Sequence, residues 1–186
     1  MTALSPLYRK LCLSPSSELE RVLVSGGPPD PERIAGFEFY GFNTLPLTTL
    51  LGIRKFKKGF YRRQKGPTPF GGYNVKIKPA QLDGSWVAGG PGGAYVGYFD
   101  VSLVAGGARE QKHPNALLLD YGRDKRNSLP DGSFLRDYVV QPDPSDPDVL
   151  LGKAYAALGP ARIAVSFFVL QRAHRGSQSS AFYEAA

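Results

Sequence analysis

Sulfur and imidazole are scarce in this chain, which has one Cys, one Met and two His in 186 residues. Cys12 alone excludes an intramolecular disulfide, and with two histidines it leaves too few soft ligands for an ordinary structural zinc site. Long apolar runs are also missing: no stretch approaches the roughly 20 residues of a spanning helix, and Arg9-Lys10 before Leu11-Cys12-Leu13 does not read as a secretory signal. A lone Cys and no visible leader set the expectation of a reducing cytoplasm. The chain has no G-x-S-x-G elbow, no H-E-x-x-H and no C-x-x-C, so the common local signatures of hydrolases and zinc enzymes are lacking. No metal and no cofactor are expected.

Turn-forming and aromatic residues are plentiful: Gly 22, Pro 16, Tyr 10 and Phe 11. With 42% hydrophobic and 21% charged residues the composition is globular, and the length suits one core. Many short strands between frequent turns read as an all-β domain. The expected division is a flexible arm over 1–15, one domain over 16–173 and a polar tail over 174–186.

Ser17 and Glu20 have the spacing of a capping box, with Leu19, Val22 and Leu23 on one face of a short helix that Gly26-Gly27 ends. Asp30-Pro31 reads as a cap and first-turn proline before Gly36. The period then falls towards 2. Strands are predicted over Phe37–Asn43, Lys55–Arg62, Tyr73–Lys78, Tyr95–Val104, Ala116–Tyr121, Phe134–Val140, Val149–Ala156 and Ile163–Arg172, with an extra one near Trp86. Leu45–Leu51 reads as a short helix or lid. Such a series suits an antiparallel barrel of eight to ten strands, which removes sheet edges; a two-sheet sandwich is the alternative. The last strand is apolar on both faces, so its outer face needs a cover, and the Ser17 helix is available for it.

Positive charge is concentrated in one segment. Arg54, Lys55, Lys57, Lys58, Arg62, Arg63, Lys65, Lys76 and Lys78 follow one another without a single Asp or Glu, leaving 14 basic against 16 acidic residues elsewhere. Alternation puts Lys55, Lys57, Gly59, Tyr61 and Arg63 on one face and Phe56, Lys58, Phe60 and Arg62 on the other. Lys58 therefore sits between two aromatics on the inner face. Three readings stand side by side: a solvated strand, an anionic ligand head meeting Lys58 and Arg62, and single-stranded nucleic acid.

Other candidates carry less. His113 precedes a proline in a turn and His174 follows the last strand. Gly89–Gly93 lacks the helix and Lys of a phosphate loop, and prolines at 142, 144 and 147 break the ligand spacing around Asp143, Asp146 and Asp148. Asp137 shares a face with Leu135 and Val139, while Arg136 shares the opposite face with Phe134 and Tyr138. A buried carboxylate needs a donor, so Asp137 is either paired or beside a wet cavity. Asp120, Asn43 and Asn74 raise the same question.

Gly36-Phe37-Glu38-Phe39-Tyr40-Gly41 with Lys58-Gly59-Phe60 resembles the GXWXG-type domain, with Phe39 at the place of its Trp. Leu119-Asp120-Tyr121, Arg136-Asp137, Leu151-Gly152-Lys153 and Phe167–Arg172 are similar, in order, to its companion domain of unknown function. The resemblance spans about residues 36–172 and implies a lipocalin/calycin-like barrel, in which Arg172 would cover the first-strand aromatic Phe39.

The expected function is a binding protein for a small hydrophobic molecule held in the barrel, with an anionic head as one option. Its candidate ligand residues are Asn43, Lys58, Arg62, Tyr73, Asp120, Tyr121, Arg136 and Asp137. The alternatives are an enzyme with Asp120 or Asp137 as general base beside Tyr121 or Lys58, and a nucleic-acid or anionic-membrane binder acting through residues 54–78. Weak, unselective polyanion binding is expected in any case.

Overall fold

The computed structural model describes residues 3–45, 53–78, 80–87, 89, 95–104, 111–127 and 133–175. Three helices, α1 (Pro6–Leu13), α2 (Ser16–Ser25) and α3 (Pro31–Ile34), precede eight strands. These are β1 (Phe37–Asn43), β2 (Lys55–Arg62), β3 (Phe70–Lys76), β4 (Tyr95–Leu103), β5 (Leu117–Asp120), β6 (Leu135–Val140), β7 (Val149–Leu158) and β8 (Ala161–Arg175). Each strand pairs antiparallel with the next, and β8 returns to β1, so the sheet closes into a barrel with no free edge. Near Trp86, Lys78 donates to the Val87 carbonyl and Gly89 to that of Lys76, without a ninth strand among the described residues.

Strand alternation divides the apolar side chains into two shells. Phe39, Phe60, Phe99, Leu119, Tyr121 and Phe168 belong to the inner shell. On the other face of β5–β8, Leu118, Tyr138, Leu151, Phe167 and Val169 meet Tyr8, Leu11, Leu19 and Leu23 of α1 and α2. Both faces of β8 are therefore dry from Phe167 to Leu170, whereas Ile163 and Val165, earlier on the outer face, stay exposed at 53% and 40% because the helices do not cover that half of the strand. Each such buried Leu or Phe contributes roughly 1.5–3 kcal/mol. A third cluster of Tyr61, Tyr73, Val75 and Ile77 covers the outer face of β2 and β3.

The arm expected over 1–15 is instead largely helix. Ser5 accepts from the Tyr8 N–H at 3.1 Å and Pro6 supplies the first-turn φ, so the proline starts a helix within the expected arm. Gln171 of β8 holds the segment before it, accepting from the Ser5 N–H at 2.8 Å and donating to the Ala3 carbonyl at 2.9 Å. The Ser17–Glu20 capping box does not form: α2 begins at Ser16 behind Pro15 with no side-chain cap, and Glu20 pairs with Lys153. β8 continues to Arg175, two residues into the expected tail. The predicted element at Leu45–Leu51 falls mostly on residues 46–52, outside the described residues. No helix among the described residues is long and apolar enough to cross a membrane.

One barrel end is closed by α3. Asp30 caps it through the Glu32 N–H at 2.9 Å, Gly36 turns the chain into β1 at φ 85°, and Ile34 packs into the inner shell. Arg62 pairs with Glu32, while Arg172 donates to the Arg33 carbonyl at 2.9 Å. The Arg172 guanidinium lies 4.1 Å from the Phe37 ring centroid and 5.4 Å from that of Phe39, with Asp148 at 2.6 Å. Arginines from β2 and β8 thus hold α3 against the barrel.

Candidate functional site: a polar cluster inside the barrel

The inner face of β2 carries Phe56, Lys58 and Phe60, so closing the barrel buries an ammonium among aromatic rings. Lys58 is 1% exposed, and its Nζ lies 4.6 Å from the Phe99 centroid and 5.2 Å from those of Tyr121 and Phe168. Two inward groups from the opposite wall meet it. Lys58 donates to the Tyr121 hydroxyl at 2.6 Å and to Asp137 Oδ2 at 3.1 Å, and Tyr121 donates to the same Oδ2 at 2.9 Å. Asn74, on β3 directly opposite Lys58, donates to the Tyr121 hydroxyl at 3.1 Å.

Three strands, β2, β3 and β6, and the turn that follows β5 thus supply one compact hydrogen-bonded group. Burial pulls the Lys58 ammonium below its ordinary range, and the Asp137 charge acts against that pull. Burial and then the Asp137 charge push the Tyr121 phenol well above its ordinary value. Tyr121 therefore stays a neutral donor, with its oxygen accepting from Lys58 and Asn74. Two acceptors are left over: Asp137 Oδ1 and Asn74 Oδ1 are buried without a protein partner. An orphaned buried acceptor costs roughly 1–3 kcal/mol. The cluster's unmet capacity is for a hydrogen-bond donor.

The other sequence candidates lie elsewhere. Asp120 and Arg136 face outward from adjacent strands and pair at 3.1 Å, and Arg123 joins Asp120 at the same distance. Asn43 ties β1 to its neighbours, donating to the Ile53 carbonyl at 2.5 Å and accepting from Ser166 Oγ at 3.2 Å. Tyr73 belongs to the outer cluster and donates to Glu38 at 3.1 Å. Arg62 sits at the α3 end, away from Lys58. Asn74, which the sequence marked only as an unexplained polar residue, is the fourth member of the cluster; its signal was sharing a face with Gly72 and Lys76.

Four of the nine cations of the basic segment, Lys57, Lys58, Arg62 and Arg63, meet carboxylates within the fold, and Arg54 and Lys55 meet other groups of the chain. Lys57 reaches Glu38 at 3.5 Å, Arg63 bridges Asp100 and Asp124, Lys55 donates to loop carbonyls, and Arg54 lies 4.9 Å from the Phe42 centroid. Asp143 takes the Ser145 N–H and hydroxyl in a local turn. His113 is buried against Tyr155, its Nε2 2.8 Å from the hydroxyl, while His174 lies 3.1 Å from Glu38. Among the described residues no three His, Cys, Asp or Glu side chains converge as a metal site. Comparison with known proteins returns no match: none to a family model, none to a curated protein and none to a solved structure.

Proposed function

We propose that the barrel binds a small, mostly apolar molecule whose polar end donates hydrogen bonds to Asp137 Oδ1 and Asn74 Oδ1. The observation that carries this reading is the pair of buried, unmatched acceptors beside aromatic walls in a closed barrel. Small barrels of about eight strands hold either packed side chains or one small ligand, and a polar cluster left partly unsatisfied favours the second use. An anionic head is disfavoured: the Lys58 charge meets Asp137 at 3.1 Å, and that of Arg62 meets Glu32. The ligand class is therefore a fatty or aromatic alcohol, amide or amine.

Native mass spectrometry of the purified protein, then calorimetry with decanol, decanoic acid and decane, tests the reading. Decanol is expected to bind best, and Asn74→Ala, which leaves the Lys58–Asp137 pair in place, is expected to weaken decanol about fivefold and decane not at all. A protein that carries no small molecule and takes none of the three overturns it, as does a preference for decanoic acid.

The second reading is catalytic. Asp137 is the inward carboxylate, hydrogen-bonded to both Tyr121 and Lys58, so the general-base hypothesis now concerns Asp137 and not Asp120. Turnover of a bound probe that Asp137→Asn abolishes while binding persists would favour it.

A further inference from the structure

A cavity lies outside the barrel, away from the polar cluster. It is a cleft of about 320 Å³ between the N-terminal segment, β1 and the loop after β3, with Leu4, Arg9, Tyr40, Asp83 and Trp86 among its walls. Its size falls at the small end of ligand sites.

Buried polar anchors hold the walls. Lys55, 2% exposed, donates from Nζ to the carbonyls of Gln81 at 2.9 Å and Gly84 at 2.6 Å, which fixes the loop carrying Asp83 and Trp86. Gln171 fixes Ala3 and Ser5 on the other side. Trp86 lies between Tyr40, stacked at 4.6 Å, and the Lys55 ammonium, 3.3 Å from its ring centroid. Two of the walls cannot shift without breaking these contacts, so the cleft is formed in advance.

Its unmet capacity is the reverse of the barrel's. The indole Nε1 of Trp86 is a donor buried without an acceptor. Of the charged groups lining the cleft, Arg9 faces one carboxylate, Asp83, to which it gives a single N–H, while the Lys55 ammonium against the indole ring is taken up by loop carbonyls. A guanidinium has five N–H groups, so Arg9 keeps donors for a second partner. Spare donors, one of them on a guanidinium, and apolar contact from Leu4 and Tyr40 together specify the occupant's chemistry.

We infer that this cleft is a binding site for a small organic carboxylate, its oxygens taking the Trp86 Nε1–H and the Arg9 guanidinium and its apolar body lying against Leu4 and Tyr40. Asp83 competes for the same guanidinium and so holds the affinity down.

Trp86 is the only tryptophan in the chain, so its fluorescence reports on the cleft directly. Benzoate and its neutral isostere benzamide are titrated against the full chain, with ligand-observed NMR for variants lacking the indole. Benzoate is expected to perturb Trp86 and to bind about tenfold tighter than benzamide. Trp86→Phe and Arg9→Gln should each weaken benzoate about tenfold, while Asp83→Asn should tighten it several-fold. Saturating decanol should leave benzoate binding unchanged, which separates this site from the barrel interior whether or not decanol itself binds. No perturbation by benzoate, equal binding of benzamide, or an Asp83→Asn variant with weakened binding each overturns the inference.

Discussion

The Phe168 ring on β8 lies directly over Gly152, its cross-strand partner on β7. The same arrangement recurs inside the barrel, with Phe56 over Gly41 and Phe99 over Gly72, each pair again directly opposite in register. Glycines thus make room for the rings that line the interior. A Cβ at Gly152 would stand 2.1 Å from the Phe168 ring.

Gly152→Ala therefore forces Phe168 out of its place. Phe168 also borders Lys58, so the change reaches the polar cluster. The expected cost is about 1–3 kcal/mol, the usual range for an overfilled core, read by denaturant melts. A variant as stable as the parent would mean that the Phe168 ring can move aside without cost.

The Lys58–Asp137 pair makes a sharper prediction. Removing one member leaves a buried charge unmatched, so Lys58→Met should destabilise by about 3–5 kcal/mol. Lys58→Met combined with Asp137→Leu should recover most of that loss, because apolar pairs often replace buried ion pairs without penalty. Recovery of stability together with loss of decanol binding would show the pair serving the ligand more than the fold. A double variant no better than the single would instead make the pair a structural requirement.

Much of this architecture was legible in the sequence because barrel strands have a strict period. The alternation in β2 placed Lys58 inside and Lys55 and Lys57 outside, and the bounds of β1 and β2 agree with the pattern. The readings that failed rested on local signals with two meanings. Pro6 opens α1 within the stretch expected as a flexible arm, and Glu20 bonds to a strand where a cap was expected. The sequence offered Asp120 or Asp137 beside Tyr121 or Lys58 but left open which carboxylate is the partner, because β2 and β6 meet only through the closed barrel. The external cleft was equally hidden, since its walls come from three distant segments.

His113 gives a pH dependence. Burial and then the nearby Lys153 charge lower its pKa, Lys112 adds to the effect, and Glu20 opposes it. Its neutral ring packs between Tyr138 and Tyr155, beneath α2. The unfolded chain takes up the proton first, near the free value of 6.5, so stability is present above that pH and is lost as pH falls through the lower folded value. Melting temperature should decline between about pH 7 and 5, and His113→Gln should flatten that decline. Equal slopes for the two proteins would rule His113 out as the cause.

Lys55 predicts the opposite trend at alkaline pH. Burial brings its pKa from 10.5 down to about 8, although the Asp83 charge works the other way. Between those values the unfolded chain holds the proton and the folded chain releases it, so stability rises with pH through that window. Net charge also falls as pH approaches the isoelectric point near 9.5, which affects every variant alike. The informative quantity is therefore the difference between the parent and Lys55→Met. The variant loses the hydrogen bonds to Gln81 and Gly84 and should melt lower at neutral pH. That gap should widen from about pH 7.5 to 10, because only the parent is relieved of a buried charge as its proton leaves. A gap that stays constant would place the Lys55 ammonium in an ordinary solvated setting. A gap that narrows would mean the charge itself holds the 81–85 loop, with the neutral amine too weak a donor to replace it.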